Sequence, residues 1–337
     1  MPIGKPNRSH RHDGAEKRNK TEKLCLIVNP RAGAGRAGAH IDTLKRLADQ
    51  AFEQWKVVLT EAPGHASHIA TNAAESGFDL VAAVGGDGTC HEVVNGLFRD
   101  GAPIQQKTAF TVIPFGTGSD LVRSLEIPNR TQQALWIAAT GSTIPTDVGV
   151  AEVSTLNGPR EELFINVAGF GANGEVSRRS NQSSKRFGGK ITFIGATVAT
   201  LASYKPGPVR VTLESDHEKQ IWEDVLLSAF VANGHYCGGG MWVGPGGSMQ
   251  DGQLDVNLLT PTSPLRTAID FRRLYDGRIA SAQGVSTATC TTVHAEPTNG
   301  QQVDIELDGE SCGFLPAKFH LKSKSLLVRG GWNSSSQ

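Results

Sequence analysis

Aromatic residues make up only 6% of the chain, and there are five cysteines: Cys25, Cys90, Cys237, Cys290 and Cys312. Their odd number, scattered spacing and lack of any C-x-x-C pair argue against a disulfide framework or zinc site and fit a reduced, cytoplasmic setting. Net charge is absent as well. The 33 basic residues balance 33 acidic ones, so there is no global electrostatic case for nucleic-acid binding. No apolar run reaches the roughly 18 residues of a membrane-spanning helix, and the opening residues do not read as a secretory signal. G-x-x-x-x-G-K-[ST], the protein-kinase signature set and the G-x-S-x-G elbow are all missing, which excludes a P-loop enzyme and argues against an α/β-hydrolase.

Glycine, by contrast, is abundant at 39 of 337 residues, and 38% hydrophobic content allows a substantial core in two domains or one large one. Residues 1–21 hold Lys5, Arg8, Arg11, Lys17, Arg18 and Lys20 against Asp13 and Glu16 and read as a disordered basic tail, with weak contact to anionic lipid as the alternative. Apolar runs at 24–28, 56–60, 80–84 and 108–113 read as strands, and periodic segments at 41–51, 65–76 and 92–98 as helices. Four strand–turn–helix units in succession predict a parallel sheet with helices on both faces over residues 22–143, with ligands at the carboxyl ends of the strands. Over 144–325 the pattern becomes strand-rich (147–153, 162–168, 209–213, 225–232, 254–259, 291–294 and 303–307), as in an all-β, sandwich-type domain. Helices are expected near 190–204 and 264–276. Residues 326–337 read as a C-terminal segment that packs back toward the first domain.

The turns carry the chemistry. Gly85-Gly86-Asp87-Gly88-Thr89 follows a continuous apolar run, and such glycines let backbone N–H groups approach a phosphate. Asp87 is unfavourable beside phosphate unless a metal ion or proton transfer uses it. Gly33-Ala34-Gly35-Arg36-Ala37-Gly38 matches G-x-G-x-x-G, but Asn29-Pro30-Arg31 separates it from its strand, a weak dinucleotide signal even with Glu61 closing the second strand. Gly116-Thr117-Gly118-Ser119-Asp120 is another glycine turn, and Asp87 and Asp120 at neighbouring strand ends could share Mg²⁺ and phosphate, or Ser119 could merely cap a helix. Asp308-Gly309-Glu310 is either a hairpin turn or the bearer of a general base.

Taken with Thr60-Glu61, His65-Ala66, Glu92, Asn95-Gly96, Asp147-Val148-Gly149, Gly238-Gly239-Gly240-Met241 and Asp251-Gly252-Gln253-Leu254-Asp255, these blocks over residues 22–330 resemble the diacylglycerol kinase catalytic family, which includes bacterial lipid kinases and the related sphingosine and ceramide kinases. The resemblance implies an NAD kinase/phosphofructokinase-like α/β domain and an ATP site in the cleft between two domains. Asn29, Pro30, Gly33, Gly35, Thr60, Gly85, Gly86, Gly88, Thr89 and Thr117 would hold ATP. Asp87 and Asp120 would organise Mg²⁺, Glu310 would be the general base, Ser248, Asp251 and Gln253 would form a structural Mg²⁺ site, and Asp147 would contact a lipid head group or cap a turn. Partners implied are ATP and a lipid substrate at the membrane surface, so peripheral membrane contact stays open, as does a homodimer. The chain departs from the family at His91 and Ser119, where Asn is usual, and at Gly171-Ala172-Asn173, where many members have Asp. The first two would alter hydrogen bonding near phosphate, and the third bears on the acceptor. Residues 191–201 read as a helix that packs on the β domain or lines an acyl chain. The leading expectation is a lipid kinase; the rivals are an NAD-kinase-like small-molecule kinase and a non-catalytic nucleotide- or lipid-binding regulator.

Overall fold

The computed structural model describes residues 21–115, 120–182, 200, 203–216, 218–263, 266 and 271–332. The first part runs β1 (Lys23–Val28), α1 (Arg36–Ala39), α2 (Ile41–Ala51), β2 (Gln54–Leu59), α3 (His65–Glu75), β3 (Leu80–Gly85) and α4 (Asp87–Gly96). A small hairpin follows, β4 (Phe98–Arg99) with β5 (Ala102–Pro103), then β6 (Ala109–Pro114), α5 (Asp120–Ser124) and α6 (Thr131–Thr140). Next come β7 (Ser142–Thr155), β8 (Gly158–Phe164), β9 (Val167–Gly171), α7 (Ala172–Gln182), β10 (Gly207–Ser215), β11 (Glu218–Leu226) and β12 (Ser228–Ala232). The chain closes with β13 (Tyr236–Cys237), β14 (Met241–Trp242), β15 (Leu254–Leu259), β16 (Val285–Cys290), β17 (Thr292–Pro297), β18 (Asp304–Leu307) and β19 (Glu310–Gly330).

The parallel sheet follows the apolar runs. β3 and β6 are buried at every position and lie in the order β6-β3-β1-β2, all parallel, as strands covered on both faces must be. α3 turns Ala66, Ile69, Ala70, Ala73 and Ala74 inward, and α2 buries Leu44, Leu47 and Ala48. The carboxyl ends of β2, β1, β3 and β6 therefore sit side by side. Cys25 is a core residue, as its apolar run implies.

Several elements differ from expectation for local physical reasons. α4 starts at Asp87, not near residue 92, because extended Gly86 serves as its N-cap and the Gly-Asp-Gly stretch is itself the first turn. The strand expected over 162–168 divides into β8 and β9 because the backbone N–H groups of Ile165, Asn166 and Val167 all turn to the Asp308 carboxylate. The one expected over 225–232 breaks at Leu227, whose N–H bonds Leu259 across the sheet instead. Of the helix expected near 264–276, the described residues form a 3₁₀ turn at Phe271–Leu274. The readings of residues 1–20 and 116–119, and nearly all of 191–201, lie outside the described residues.

β19 is the largest departure. It pairs with β18, β17 and β7 and, at Leu327 and Val328, in parallel with β6, so one continuous sheet joins both parts of the chain. Its bends fall at register shifts near Phe314–Ala317 and Lys322–Leu326, with Lys324 at φ 48°. Buried Arg329 secures the far end, donating to both Glu22 oxygens at 2.6 and 2.9 Å and to the Ala138 carbonyl.

α4 is seated on α3 through glycine: a Cβ on Gly96 would collide with the Ser67 carbonyl oxygen, and its own carbonyl accepts the Thr71 hydroxyl at 2.7 Å. Glu92 reaches the first turn of α3 by accepting the Ala66 N–H at 3.1 Å, so the Glu92, Gly96 and His65-Ala66 blocks are explained by helix packing. We expect Gly96→Ala to lower unfolding stability by about 1–3 kcal/mol, read as a shift in urea midpoint, because neither helix backbone can yield freely.

Candidate active site

The turn after β3 is built by close approaches. A Cβ on Gly85 would collide with the Thr89 hydroxyl, so the packing of the turn itself requires glycine there. Asn29 ties the first turn to this one: its N–H donates to the Val84 carbonyl at 3.0 Å, its amide nitrogen to the Thr89 hydroxyl at 3.3 Å, and its Oδ1 accepts the Arg31 N–H. Gly33, at φ 61°, lies against the Phe115 carbonyl where a Cβ has no room, which brings the first turn to the end of β6. Gly35, at φ 86°, is the N-cap of α1 and faces open space. The Pro30 carbonyl accepts the Gly38 N–H, and Thr60 closes β2 on the Val28 carbonyl. Asn29, Gly33, Gly85 to Thr89 and Phe115 thus meet at one crevice, with Thr60 at the neighbouring strand end. Thr117 lies outside the described residues. A surface hollow between α2 and α6, lined by Leu47, Ala51, Leu135 and Trp136, shares no residue with this crevice.

Acidic groups crowd the same place. Asp87 occupies the first turn of α4, where the helix dipole favours an anion. Burial, then repulsion from Asp120 and Asp308, pushes its carboxyl up to about 7. Asp120 opens α5 and is buried. Burial raises its carboxyl, opposed by the Gly239 N–H, which it accepts at 2.7 Å, and by Arg123 at 2.9 Å. Asp120 thereby holds the Gly238-Gly239-Gly240 turn against α5. Mutually repelling carboxylates, one of them raised to about 7, are the electrostatic counterpart of a bound cation. Among the described residues no group of three or more His, Cys, Asp or Glu is arranged to hold a metal by itself.

Asp308-Gly309 is a two-residue hairpin turn with φ of 52° and 88°, the paired left-handed residues a type I′ turn requires. The hairpin reading of this tripeptide therefore holds, and the candidate base Glu310 follows directly on the turn. A Cβ on Gly88 would strike Glu310 Oε1, which means the Glu310 carboxylate lies directly against the start of α4. Asp308 accepts the N–H groups of Ile165, Asn166 and Val167 at 3.0, 2.9 and 3.2 Å, and Glu306 accepts that of Gly309 at 2.6 Å. Burial pushes the Glu306 carboxyl up to about 8.

His91 is held between two carboxylates: its Nε2 meets Glu162 at 2.9 Å and its Nδ1 meets Asp308 at 3.3 Å. Burial opposes its proton, and the hydrogen bonds and charges of Asp308 and Glu162 outweigh that, raising the ring to about 10. One turn on, Asn95 exchanges two 3.0 Å hydrogen bonds with the Leu163 backbone. The i, i+4 spacing of His91 and Asn95 was visible in sequence; their partners, 68 to 217 positions away, were not. Asn173 is likewise structural, donating to the Ala229 carbonyl at 2.9 Å and bonded to Ser228.

Asp147 is fully buried, and its oxygens accept the N–H groups of Lys324 and Gly252 at 2.6 and 2.7 Å. It clasps the 248–253 turn to the bend in β19, so of the two roles expected for it the structural one matches its surroundings and a head-group contact does not. Ser248, Asp251 and Gln253 share that turn, where Asp251 accepts the Gln253 N–H at 2.9 Å.

Comparison with known proteins agrees with this geometry. Residues 23–151 match the diacylglycerol kinase catalytic domain, and residues 166–329 match the YegS C-terminal NAD kinase beta sandwich-like domain. The chain belongs to the diacylglycerol kinase catalytic-domain family. It is a phosphotransferase with the α/β and β-sandwich architecture of that family. It is 28% identical to a diacylglycerol kinase of Bacillus subtilis (88% of this chain, 93% of the relative) and 28% identical to one of Mycobacterium tuberculosis (94% and 97%). A probable lipid kinase YegS-like protein of Pseudomonas syringae is 25% identical over 87% of this chain and 90% of its own length. The crystal structure of a putative diacylglycerol kinase from Bacillus anthracis superposes with a TM-score of 0.74 at 26% identity, covering 96% of this chain and 99% of that one.

The raised His91 ring links stability to pH. The charged groups acting with it are Glu162 from β8, itself paired with Arg160, Asp308 from the β18–β19 turn, and Glu306 from β18. A folded-state value near 10 against an ordinary 6.5 gives stabilisation that is complete below about 6.5 and lost as pH rises through 10. We expect the difference in melting temperature between the natural chain and His91→Asn to shrink steadily from pH 6.5 to pH 10 in paired melts, with the other groups cancelling in the difference.

Proposed function

We propose that this chain is a lipid kinase that transfers the γ-phosphoryl group of ATP to a hydroxyl of diacylglycerol or a related lipid. The observation that carries the reading is the approach of the Glu310 carboxylate to Gly88 at the N-terminus of α4. A helix start rich in glycine is a phosphate-binding position, and a general base must stand beside the transferred phosphate to reach the incoming hydroxyl. The match of residues 23–151 to the diacylglycerol kinase catalytic domain, with residues 166–329 matching the YegS C-terminal domain, supports the substrate class.

In this reading ATP lies along the strand ends, with its adenosine and phosphates among Thr60, Asn29, Pro30, Gly33, Gly35 and Thr117 and its terminal phosphates on the backbone of Gly86, Gly88 and Thr89. Glu310 accepts the proton of the lipid hydroxyl as that oxygen bonds to the γ-phosphorus. The bond to the bridging oxygen breaks, and its electron pair leaves with ADP. Asp87 and, through water, Asp120 would hold Mg²⁺, which when bound neutralises charge on the phosphoryl oxygens. The Ser248 and Gln253 carbonyls with the Asp251 carboxylate would take a second, structural Mg²⁺. In this reading the lipid is met at a bilayer surface; no helix among the described residues is long and apolar enough to cross a membrane.

With labelled ATP and Mg²⁺, label is expected in a lipid when diacylglycerol, sphingoid base, ceramide and NAD are compared by thin-layer separation. Transfer to NAD and to no lipid would reject the reading. Glu310→Gln is expected to lower kcat about 10²-fold or more while leaving the KM for ATP within a few-fold, as loss of a base should. Asp87→Ala is expected to abolish turnover, and full activity in Glu310→Gln would remove Glu310 as the base.

A further inference from the structure

Three contacts run down one face of α4 at i, i+3 and i+7. Gly88 meets Glu310, His91 meets Asp308 and Glu162, and Asn95 meets the Leu163 backbone. The middle one has unusual chemistry. Both ring nitrogens of buried His91 face carboxylate oxygens, at 2.9 and 3.3 Å. A neutral imidazole has one N–H and would turn a lone pair toward the other carboxylate, whereas an imidazolium donates to both. Asp308 is also the anchor of its surroundings, already accepting three backbone N–H groups from residues 165–167. It is the first residue of the turn whose next member but one is Glu310.

We propose that His91, as the imidazolium, is a positioning residue for phosphoryl transfer: by bridging Glu162 to Asp308 it holds the β18–β19 turn against α4 so that Glu310 stands over Gly88. The inference rests on the kinase reading above for its chemistry, and on the contacts alone for its geometry. His91 touches no reacting atom, and its effect passes through Glu310. Loss of the cation leaves the buried Asp308 carboxylate without the counter-charge of His91, while Glu162 keeps only Arg160 of its own strand, so the ionic bridge from α4 to the turn is gone.

His91→Gln tests this, since glutamine fills similar space but cannot carry charge. The expected result is a fall in kcat of at least tenfold with the KM for ATP within about threefold, a split that a general loss of folded protein does not produce. In the Glu310→Gln background the same change should lower kcat by less than about twofold, because a positioning residue has nothing left to position. Full multiplication of the two effects would overturn the proposal. Hydrogen exchange of amides 308–312 should rise by an order of magnitude in His91→Gln while that of β3 stays unchanged, and unchanged exchange at 308–312 would overturn it whether or not the protein phosphorylates a lipid. If the natural chain phosphorylates no acceptor, the kinase reading fails and the exchange measurement still decides the contact. Should His91→Gln not fold, Glu162→Gln, which keeps the imidazolium on Asp308, is expected to lower kcat in the same direction by a smaller factor, and unaltered kcat there would count against the bridge.

Discussion

β19 is hydrogen-bonded to β18 beside Glu310 and to β6 beside Ala109, so the strand that starts at the candidate base is woven into the same sheet that ends at Gly85. That shared strand is the constraint on which the rest depends. A base delivered from a separately folded part of the chain would have to find the phosphate turn anew with each docking event. Here its strand is tied at the far end by buried Arg329, whose guanidinium is satisfied by Glu22, Thr143 and Ala138. Removing either partner of such a pair leaves a buried charge, so the tie resists slippage.

The crevice concentrates negative charge to an extent that would be self-defeating without compensation. Asp87, Asp120 and Asp308 influence one another electrostatically, and Glu306 lies close behind. The protein meets this in three ways. Backbone N–H groups are aimed at Asp308, Glu306 and Asp120, and cations are placed at His91 and Arg123. The Asp87 carboxyl is left with its charge poorly supported and its proton affinity raised. Asp87 and Glu306 are thus the acids of this group whose negative charge is least supported by their surroundings.

Much of this was legible in the chain. Continuous apolar runs ending in glycine turns specify buried parallel strands with ligand-facing ends, and β1, β3 and β6 followed within a residue or two. The grouping of Asn29, Gly33 and the Gly85 to Thr89 turn also follows from that topology, since neighbouring parallel strands must end side by side. What could not be read was partnership at long range. Asp147 and Asp308 look alike in sequence, each an acid next to small residues in a turn. One is buried beneath a loop with both oxygens occupied, and the other ties three backbone amides to a histidine 217 positions away. α7 escaped notice because it is tied by polar contacts, Arg178 to Asp304 and Asn173 to the Ala229 carbonyl, and has no apolar stripe to read in the sequence.

The sequence by itself determined the strands of the parallel sheet, the glycine turns that close it and the acidic residues available for chemistry. These depend on local backbone freedom and on the period of apolar residues, both encoded within a few positions. Only the tertiary structure decided which acids are spent on holding the fold and which face the crevice. A carboxylate's role depends on how many donors surround it, and here those donors arrive on strands and turns far away along the chain. His91 shows the difference most plainly. By residue type it was a substitution near phosphate, and by position in space it lies between the carboxylates of Glu162 and Asp308, linking α4 to the turn that precedes Glu310.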